Sequence, residues 1–255
     1  MTIGSLAALA LVYFLTAVIT VITGSTSLIT IPVMLQFGIE PRTAVATNML
    51  ALGMLSLGGV LPFIGASAID KPRAPWLIAL TFVGSILGAL LLFAVPSKWM
   101  NLIIPVAMIS VLAALLLQPR AGPATPASPK RARTGYIIMA LLSVYGGFLS
   151  GGYATLVTTA GIVFFRYPML RGIAMAKVLN TVSSLVAEAV FARYGIIDWR
   201  LGVVLSAAGF LGGLIGTHWA RRMPATLLRR LFLFAVATLA LKSMLFDVPW
   251  NELAR

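Results

Sequence analysis

The chain has 255 residues, of which 60% are hydrophobic and only 10% are charged, and its mean hydropathy is +1.02. A water-soluble core of this size would place a polar residue every few positions, so the composition excludes a soluble globular protein. The net charge of +13 would suggest nucleic acid in a soluble protein. Here the basic residues lie in short connections, which favours membrane anchoring and predicts no nucleic-acid partner.

Stretches of about 20 apolar residues recur along the chain, and each can cross a hydrocarbon layer of about 30 Å as a helix. The sequence therefore predicts a multi-pass, all-α integral membrane protein with eight hydrophobic segments. The segments cover residues 4–35, 43–64, 75–95, 99–117, 135–165, 172–192, 201–220 and 227–246.

A proline-rich basic stretch over residues 118–134 divides the chain, and its composition predicts an extended, mobile loop. This gives a first membrane repeat over 1–117 and a second over 135–255. Ser27-Leu28-Ile29-Thr30 resembles Thr155-Leu156-Val157-Thr158, and Ala44-Val45-Ala46 resembles Ala174-Met175-Ala176. Internal similarity of this kind is typical of transporters. The alternative is chance similarity between two apolar sequences.

Segments one and five are too long for one straight crossing, since about 30 residues make a helix of about 45 Å. Each is interrupted, the first over Thr23–Ser27 and the second over Gly146–Tyr153. Glycine and serine tolerate non-helical backbone, which survives at membrane depth only where protein or a water-filled cavity satisfies it. We therefore predict two broken helices, each of which either crosses once or returns as a re-entrant hairpin.

The basic residues distinguish these two arrangements. Eight single crossings divide them ten against eight between the two sides, which shows no bias. Two re-entrant hairpins divide them twelve against six, which agrees with the excess of Lys and Arg on the cytoplasmic side of membrane proteins. This division favours an inverted repeat with three full crossings in each half.

Lys177 is the sharpest candidate for function, because a lysine inside an apolar segment costs about 2.5–3.5 kcal/mol on insertion scales. Asn180, Thr181, Ser184 and Glu188 follow on the same helix face. A polar stripe of this kind predicts a cavity. The alternative is that Lys177 extends its amine to the membrane surface.

Glu188 lies eleven residues beyond Lys177, about 16 Å along the helix, so the two cannot pair directly. It is a candidate proton carrier. The favoured alternative is a pairing with Arg193 or His218 near the membrane surface.

The two breaks form the second candidate site, because helix N-termini carry free amides that favour anions. Two such ends with Lys177 nearby predict a small oxyanion site, and the repeat places Thr47 and Asn48 beside it. The alternative is that the small residues serve helix packing. The predicted break residues are Gly24, Ser25, Thr26, Ser27, Ser150, Gly151, Gly152, Tyr153 and Thr155.

The run Gly147–Tyr153 followed by Thr155, and the run Ala174-x-Ala176-Lys177-x-x-Asn180, resemble segments of the sulfite exporter TauE/SafE family. Gly195, Asp198-Trp199 and Ala44-x-Ala46-Thr47-Asn48 continue the resemblance over nearly the whole chain. Ser25, Thr26 and Ser27 depart from it, since more glycine is usual there. The resemblance implies an inner-membrane permease for sulfite, sulfonates or related sulfur-containing anions.

We therefore expect a secondary transporter that moves small anions by alternating access and is not an enzyme. An intramembrane enzyme and a non-transporting membrane subunit are the alternatives. The absence of Cys and the single His218 exclude disulfides and a multi-His metal site, and no cofactor is expected. The expected partners are the lipid bilayer and the anion. The sequence leaves the oligomeric state open, with a homodimer as one option.

Overall fold

The computed structural model describes residues 2–20, 25–61, 69–116, 128–220 and 225–247, and in those ranges the chain is helical with no strand. The first half contains α1 (Ile3–Thr20), α2 (Ser27–Gln36), α3 (Pro41–Val60), α4 (Ala74–Ala94) and α5 (Ser97–Leu116). The second half contains α6 (Pro129–Phe148), α7 (Tyr153–Phe165), α8 (Met169–Arg193), α9 (Trp199–Ala220) and α10 (Ala225–Lys242), followed by a π-helical turn (Ser243–Asp247).

The exterior of the bundle has the character of a surface that faces lipid. Among the described helices, α1, α4, α5, α8 and α9 are long and apolar enough to cross a membrane. Large apolar side chains such as Trp76, Phe82 and Leu141 are exposed on the outside. Apolar surface on this scale is stable against hydrocarbon and unstable in water. The prediction of an all-α integral membrane protein is therefore confirmed.

Both overlong segments are broken, as predicted. In segment five the interruption is narrower than expected, because Gly146 and Gly147 belong to the last turn of α6 and Tyr153 begins α7. In segment one, α1 ends at Thr20 and α2 begins at Ser27. Thr23 and Gly24, which the sequence analysis placed in this break, lie outside the described residues.

The predicted loop over residues 118–134 ends earlier than expected, since α6 begins at Pro129. Proline suits the first position of a helix, and the Ser128 side chain caps that end by accepting a hydrogen bond from Arg131 N at 3.4 Å. Lys130, Arg131 and Arg133 are therefore helical, and the extended conformation predicted for residues 129–134 was wrong. Residues 118–127 of that stretch lie outside the described ranges.

The second broken segment folds back on itself. The start of α6 lies beside the end of α7, because Arg131 Nε donates to Val163 O at 2.7 Å. One turn later, a Cβ placed at Gly135 would lie 2.8 Å from Phe164 Cβ. The helices α6 and α7 are therefore antiparallel, and α7 returns towards the end of the bundle from which α6 started.

Two groups of contacts define the two ends of the bundle. At the end that we call end A, Ser97 Oγ donates to Glu40 Oε1 at 2.8 Å, and Arg42 donates to the carbonyl oxygens of Phe93 and Val95. The start of α3 therefore meets the end of α4 and the start of α5. At the opposite end B, the guanidinium of Arg73 lies 5.6 Å from the centre of the Phe165 ring.

In the predicted repeat, α1 corresponds to α6, α3 to α8 and α4 to α9. Each of the following packed pairs therefore has a counterpart in which the two halves change places. The packed pair α1 and α9 corresponds to α6 and α4, and the pair α3 and α9 corresponds to α8 and α4. The helices α3 and α8 themselves are antiparallel, since Gly53 lies beside Ser184 whereas Gly59 lies beside Lys177. The pair α5 and α10 also pack together.

Glycines bring α4 and α6 into direct backbone contact. A Cβ placed at Gly88 would lie 1.9 Å from Val144 O, and one placed at Gly147 would lie 2.2 Å from Ser85 O. Both distances are far below van der Waals contact, so neither position accepts a side chain without separating the helices. Small residues allow membrane helices to approach in this way.

We therefore expect Gly88→Ala to destabilise the protein by about 1–3 kcal/mol, the range observed for overpacked interiors. Thermal unfolding of the detergent-purified protein measures this change. Gly4→Ala on α1 is the matched control, because its Cβ would meet only the Thr2 hydroxyl at 3.9 Å. An unfolding temperature for Gly88→Ala equal to that of the control would contradict the close packing of α4 and α6.

Candidate functional site

The two helix breaks meet in the interior of the bundle. Ser25 Oγ, beside the first break, is hydrogen-bonded to Thr155 Oγ1 in the first turn of α7. A Cβ placed at Gly151 would lie 2.8 Å from Leu28 Cδ2 on α2. Ser25 and Thr155 are 1% and 3% exposed. We call this buried polar centre the break junction, which consists of Ser25, Thr26, Ser27, Ser150, Gly151, Gly152, Tyr153 and Thr155.

Asn48 holds the first break in place. Its Oδ1 accepts hydrogen bonds from Thr30 Oγ1 at 2.7 Å and Tyr13 OH at 3.4 Å, and its Nδ2 donates to Ser27 Oγ at 2.9 Å. Asn48 is fully buried. One amide on α3 therefore ties together α1 and α2 through three hydrogen bonds.

The second break is built from left-handed backbone. Ser150 and Gly152 have φ angles of 60° and 75°. A Cβ placed at Gly152 would lie 2.3 Å from Val111 Cγ1, so both the backbone angle and the space require glycine there. Tyr145 OH donates to the Gly151 carbonyl and satisfies it. The break is thus a specific turn that starts α7 inside the protein.

The turn presents hydrogen-bond donors to the break junction. The first amides of a helix have no acceptor within that helix and carry partial positive charge, and Ala154 N lies in this first turn of α7. The Ser150 hydroxyl is buried and has no hydrogen-bond partner in the part of the chain that the structure describes. The junction can therefore donate to a small anion.

Lys177 is not part of the break junction and lies on the side of α8 that faces α3. A Cβ placed at Gly59 would lie 3.5 Å from Lys177 Nζ. Lys177 is 4% exposed, which contradicts the alternative in which its amine extends to the membrane surface. We call this interface the α3–α8 seam, which consists of Gly53, Ser56 and Gly59 on α3 and Lys177, Asn180, Ser184 and Glu188 on α8.

The structure does not bring all predicted site residues together. Thr47 Oγ1 accepts from Asp198 N at 3.0 Å, at the start of α9. It is twelve residues, or about 18 Å, along α3 from Gly59 and Lys177. Thr47 therefore lies away from Lys177, and Asn48 serves the first break instead. Among the described residues, no hydrogen bond or ion pair links Lys177 to the break junction.

Two further predicted site residues, Thr181 and Glu188, make no contact with the break junction among the described hydrogen bonds and ion pairs. Thr181 Oγ1 donates to the Lys177 carbonyl at 2.9 Å and is half-buried. Glu188 makes no ion pair with Arg193 within the described ranges, where Asp70–Arg73 is the salt bridge found. The side chain of His218, the other proposed partner of Glu188, lies outside the described residues.

A supporting polar network was missed by the sequence analysis. Ser85 Oγ donates to Ser183 Oγ at 2.8 Å, and Thr81 Oγ1 lies within hydrogen-bond distance of Ser143 Oγ (3.2 Å) and Tyr153 OH (3.4 Å). These bonds connect α4, α6 and α8 behind the second break. Isolated hydroxyls in apolar segments were the available signal, but such residues commonly bond to their own helix backbone.

An open groove of about 480 Å³ lies between α4 and α8 on the outside of the bundle. Its walls are almost entirely apolar, and they include Phe82, Leu90, Leu185 and Arg193. An apolar groove that faces the hydrocarbon suits lipid chains and not a small anion. It is separate from both the break junction and the seam.

At end B, Asp70 is buried and forms a salt bridge with Arg73 (Oδ2 to Nη1, 2.8 Å). Burial raises the pKa of Asp70, but the hydrogen bond and positive charge of Arg73 outweigh it and hold that pKa below its ordinary value. The aromatic rings of Phe165 and Tyr167 stack beside this pair with centroids 5.5 Å apart. Asp70 and Arg73, just before α4, are thus held beside the turn between α7 and α8.

Broken helices, a buried junction of hydroxyls and an apolar exterior together define a multi-pass membrane protein of the transporter type. The family model for "Sulfite exporter TauE/SafE" matches residues 9–243. The chain therefore belongs to the sulfite exporter TauE/SafE family, as the sequence resemblance predicted.

Curated relatives carry the same general description. A "Probable membrane transporter protein" of Haemophilus influenzae is 28% identical over 250 residues, covering 96% of each chain. "Probable membrane transporter protein YfcA" of Escherichia coli K12 is 27% identical and covers 91% of this chain and 86% of its own. No solved structure matches. Family and relatives support a membrane transporter and a role other than catalysis.

The role of Asn48 leads to a first prediction for the site. Asn48→Ala removes the donor to Ser27 and leaves the Thr30 hydroxyl with only its longer bond to Thr26 O, at 3.3 Å. A buried group left unpaired costs about 1–3 kcal/mol. We expect a lower unfolding temperature in detergent and faster proteolysis near residues 20–30. Asn101→Ala, at a half-buried position on α5, is the control and should leave both unchanged. Equal proteolysis of the two variants would exclude Asn48 as the support of the break.

The Asp70–Arg73 pair predicts a pH dependence of stability. Because the folded-state pKa of Asp70 lies below its value of about 3.9 in an unfolded chain, the pair stabilises the fold above that pH. This contribution is lost as the pH falls through the folded-state pKa. Asp70→Asn should therefore lower the unfolding temperature at neutral pH, and the difference should disappear in acid. Lys71→Gln at the neighbouring exposed position should show no such difference. A deficit in Asp70→Asn that is independent of pH would contradict this account.

Proposed function

We propose that the protein is a secondary transporter of small sulfur-containing oxyanions, such as sulfite or organosulfonates, and that the anion binds at the break junction. The observation that carries this proposal is the hydrogen bond between Ser25 and Thr155, which joins two separate breaks in the buried interior. Broken helices that meet near the middle of the membrane are typical substrate sites of secondary transporters.

The chemistry of the junction favours an anion. Its side chains supply hydroxyl groups, and the N-terminus of α7 supplies amides with partial positive charge. The chain has six acidic residues, and none of them belongs to the break junction. A tetrahedral or pyramidal oxyanion presents several acceptors, so it can use donors that converge from two helices. Lys177, buried in the same bundle, supplies the positive charge that an anion requires in a medium of low dielectric constant.

The arrangement of helices supports alternating access between two inverted repeats. The antiparallel pair α3 and α8 and the exchange of packing partners between the halves are what an inverted repeat produces. End B holds Lys71, Arg73, Arg131, Arg166 and Arg171. This cluster supports placing end B on the cytoplasmic side of the inner membrane. Substrate would then reach the junction from either end as one half moves against the other.

The proposal is tested by flux into proteoliposomes containing the full chain, with sulfite, thiosulfate, ethanesulfonate and acetate as probes. We expect the sulfur oxyanions to move and acetate to move more slowly. Thr155→Val and Ser150→Ala each remove one donor, and a lost hydrogen bond to a charged ligand of about 1.5–3 kcal/mol should raise KM about tenfold or more. Lys177→Met should abolish flux.

Thr238→Val is the matched control, because its hydroxyl is exposed and donates to Phe234 O of its own helix. This variant should transport like the wild type. Flux that stays unchanged in Thr155→Val and Ser150→Ala would remove the break junction from the substrate site. The absence of flux for every probe, in protein that remains folded, would remove the function itself.

A further inference from the structure

The α3–α8 seam contains a row of polar groups that the protein itself does not satisfy. Within the described residues, Asn180 Oδ1 and Ser184 Oγ are buried and have no hydrogen-bond partner. Lys177 is 4% exposed, and its amine makes no hydrogen bond or ion pair with a described residue. Across the seam, Asn180 Nδ2 donates a hydrogen bond to Ser56 Oγ at 2.6 Å.

The opposite face of the seam leaves room beside these groups. Glycine stands at positions 53 and 59 of α3, one turn on either side of Ser56. The Cβ that Gly59 lacks would lie 3.5 Å from Lys177 Nζ, and the one that Gly53 lacks would lie 3.9 Å from Glu188 Oε2. The missing side chains therefore leave space beside the amine and beside the carboxylate.

The spacing of the groups suits a file of water molecules. Lys177, Asn180, Ser184 and Glu188 follow at intervals of three or four residues, so neighbours are about 5–6 Å apart on one helix face. One water bridges two groups at that separation. A buried polar atom left without a partner costs about 1–3 kcal/mol, so water in the seam is the favourable state.

We infer that the α3–α8 seam is a hydrated proton path between the Glu188 carboxyl group and the Lys177 amine, and that the proton is the coupling ion. This inference rests on the proposed function. In the forward step, the Glu188 O–H bond breaks and its proton enters the file of water, whose far end donates a proton to the Lys177 amine. A carboxylate and an ammonium ion result, and no electron transfer is involved.

Glu188 and Lys177 are the ionisable groups of the seam, as the residues on the surrounding helices show. Between Arg42 and its end, α3 has no ionisable side chain, and α4 has none. Tyr153 of α7 belongs to a buried cluster with Met175 and Leu179, and its hydroxyl lies 3.4 Å from Thr81 Oγ1 on α4. Tyr145 of α6 is bonded to Gly151. On α8 itself Arg171 and Arg193 lie near the helix ends. On α9, which packs on α3, the ionisable residues are Arg200 and His218.

Coupling follows from the charge of Lys177. The protonated amine favours an anion in the bundle, and the neutral amine favours its release. An anion and a proton should therefore move in the same direction. Ethanesulfonate is the probe, because it stays ionised throughout the working pH range and carries no proton of its own.

The experiment uses full-length protein in proteoliposomes, with two readouts for each variant. The first is exchange of labelled for unlabelled ethanesulfonate, which requires the anion site alone. The second is the change in internal pH, reported by a trapped dye, when an ethanesulfonate gradient is imposed. In the wild type we expect both. Glu188→Gln should keep the exchange and slow proton movement by about a hundredfold, as the loss of an acid–base group does.

Ser184→Ala is the second variant, because it removes an unpartnered hydroxyl and breaks no hydrogen bond among the described residues. If Ser184 is only structural, this substitution should leave proton movement unchanged. If Ser184 belongs to the path, the substitution should slow proton movement and leave anion exchange intact. Ser206→Ala is the matched control, since Ser206 Oγ on α9 is also buried without a described partner and lies outside the seam. It should behave like the wild type.

The outcomes separate this inference from the proposed function. Ethanesulfonate exchange without any proton movement in the wild type overturns the proton path while transport stands. Normal proton movement in Glu188→Gln or in Ser184→Ala also overturns it, and Ser184→Ala decides the matter if Glu188→Gln does not fold. Failure of the wild type to exchange any of the anions overturns transport, and the coupling inference with it.

Discussion

The fold depends on one constraint, which is that backbone interrupted within a membrane must find its hydrogen-bond partners inside the protein. Two segments of this chain are interrupted, and each solves the problem with side chains from elsewhere. Asn48 on α3 bonds to Ser27 and Thr30 around the first break, and Tyr145 bonds to the Gly151 carbonyl within the second. The bond between Ser25 and Thr155 then makes the two breaks a single unit. The described residues of both breaks are therefore buried, and they create an interior region where amides and hydroxyls converge.

Close glycine packing and the polar seam divide the bundle into tight and open interfaces. Gly88 and Gly147 bring α4 against α6, and Gly212 and Gly216 bring α9 against α1. Backbones in such contact hold their helices as rigid pairs. The interface between α3 and α8 differs, since Gly53 and Gly59 leave ordinary van der Waals distances and face polar groups without partners. Water can enter this interface without separating tightly packed helices, so the seam is where the interior can be hydrated.

The sequence predicted the membrane class, the two broken segments and the family, because these depend on composition, on segment length and on local runs of glycine and serine. It placed helix ends within a few residues, except at Pro129, where proline is a favourable first residue of a helix and also common in loops. It did not predict which faces meet. Thr47 matches Lys177 in the repeat, yet contacts across the bundle put them at different depths along α3. In an antiparallel pair, residues that correspond in sequence lie on opposite sides of the centre, so sequence correspondence does not imply proximity.

The charge of Lys177 connects the proposed anion site with the proposed proton path. A buried ammonium that is paired with a carboxylate is neutralised in every state, and it attracts a passing anion only weakly. An ammonium without a partner in the described structure has two favourable states: it is protonated with an anion nearby, or it is neutral. A change from one state to the other moves both a proton and an anion, so the two become linked through the Lys177 nitrogen atom. The separation of about 16 Å between Lys177 and Glu188 serves this linkage, because a direct ion pair between them would remove it.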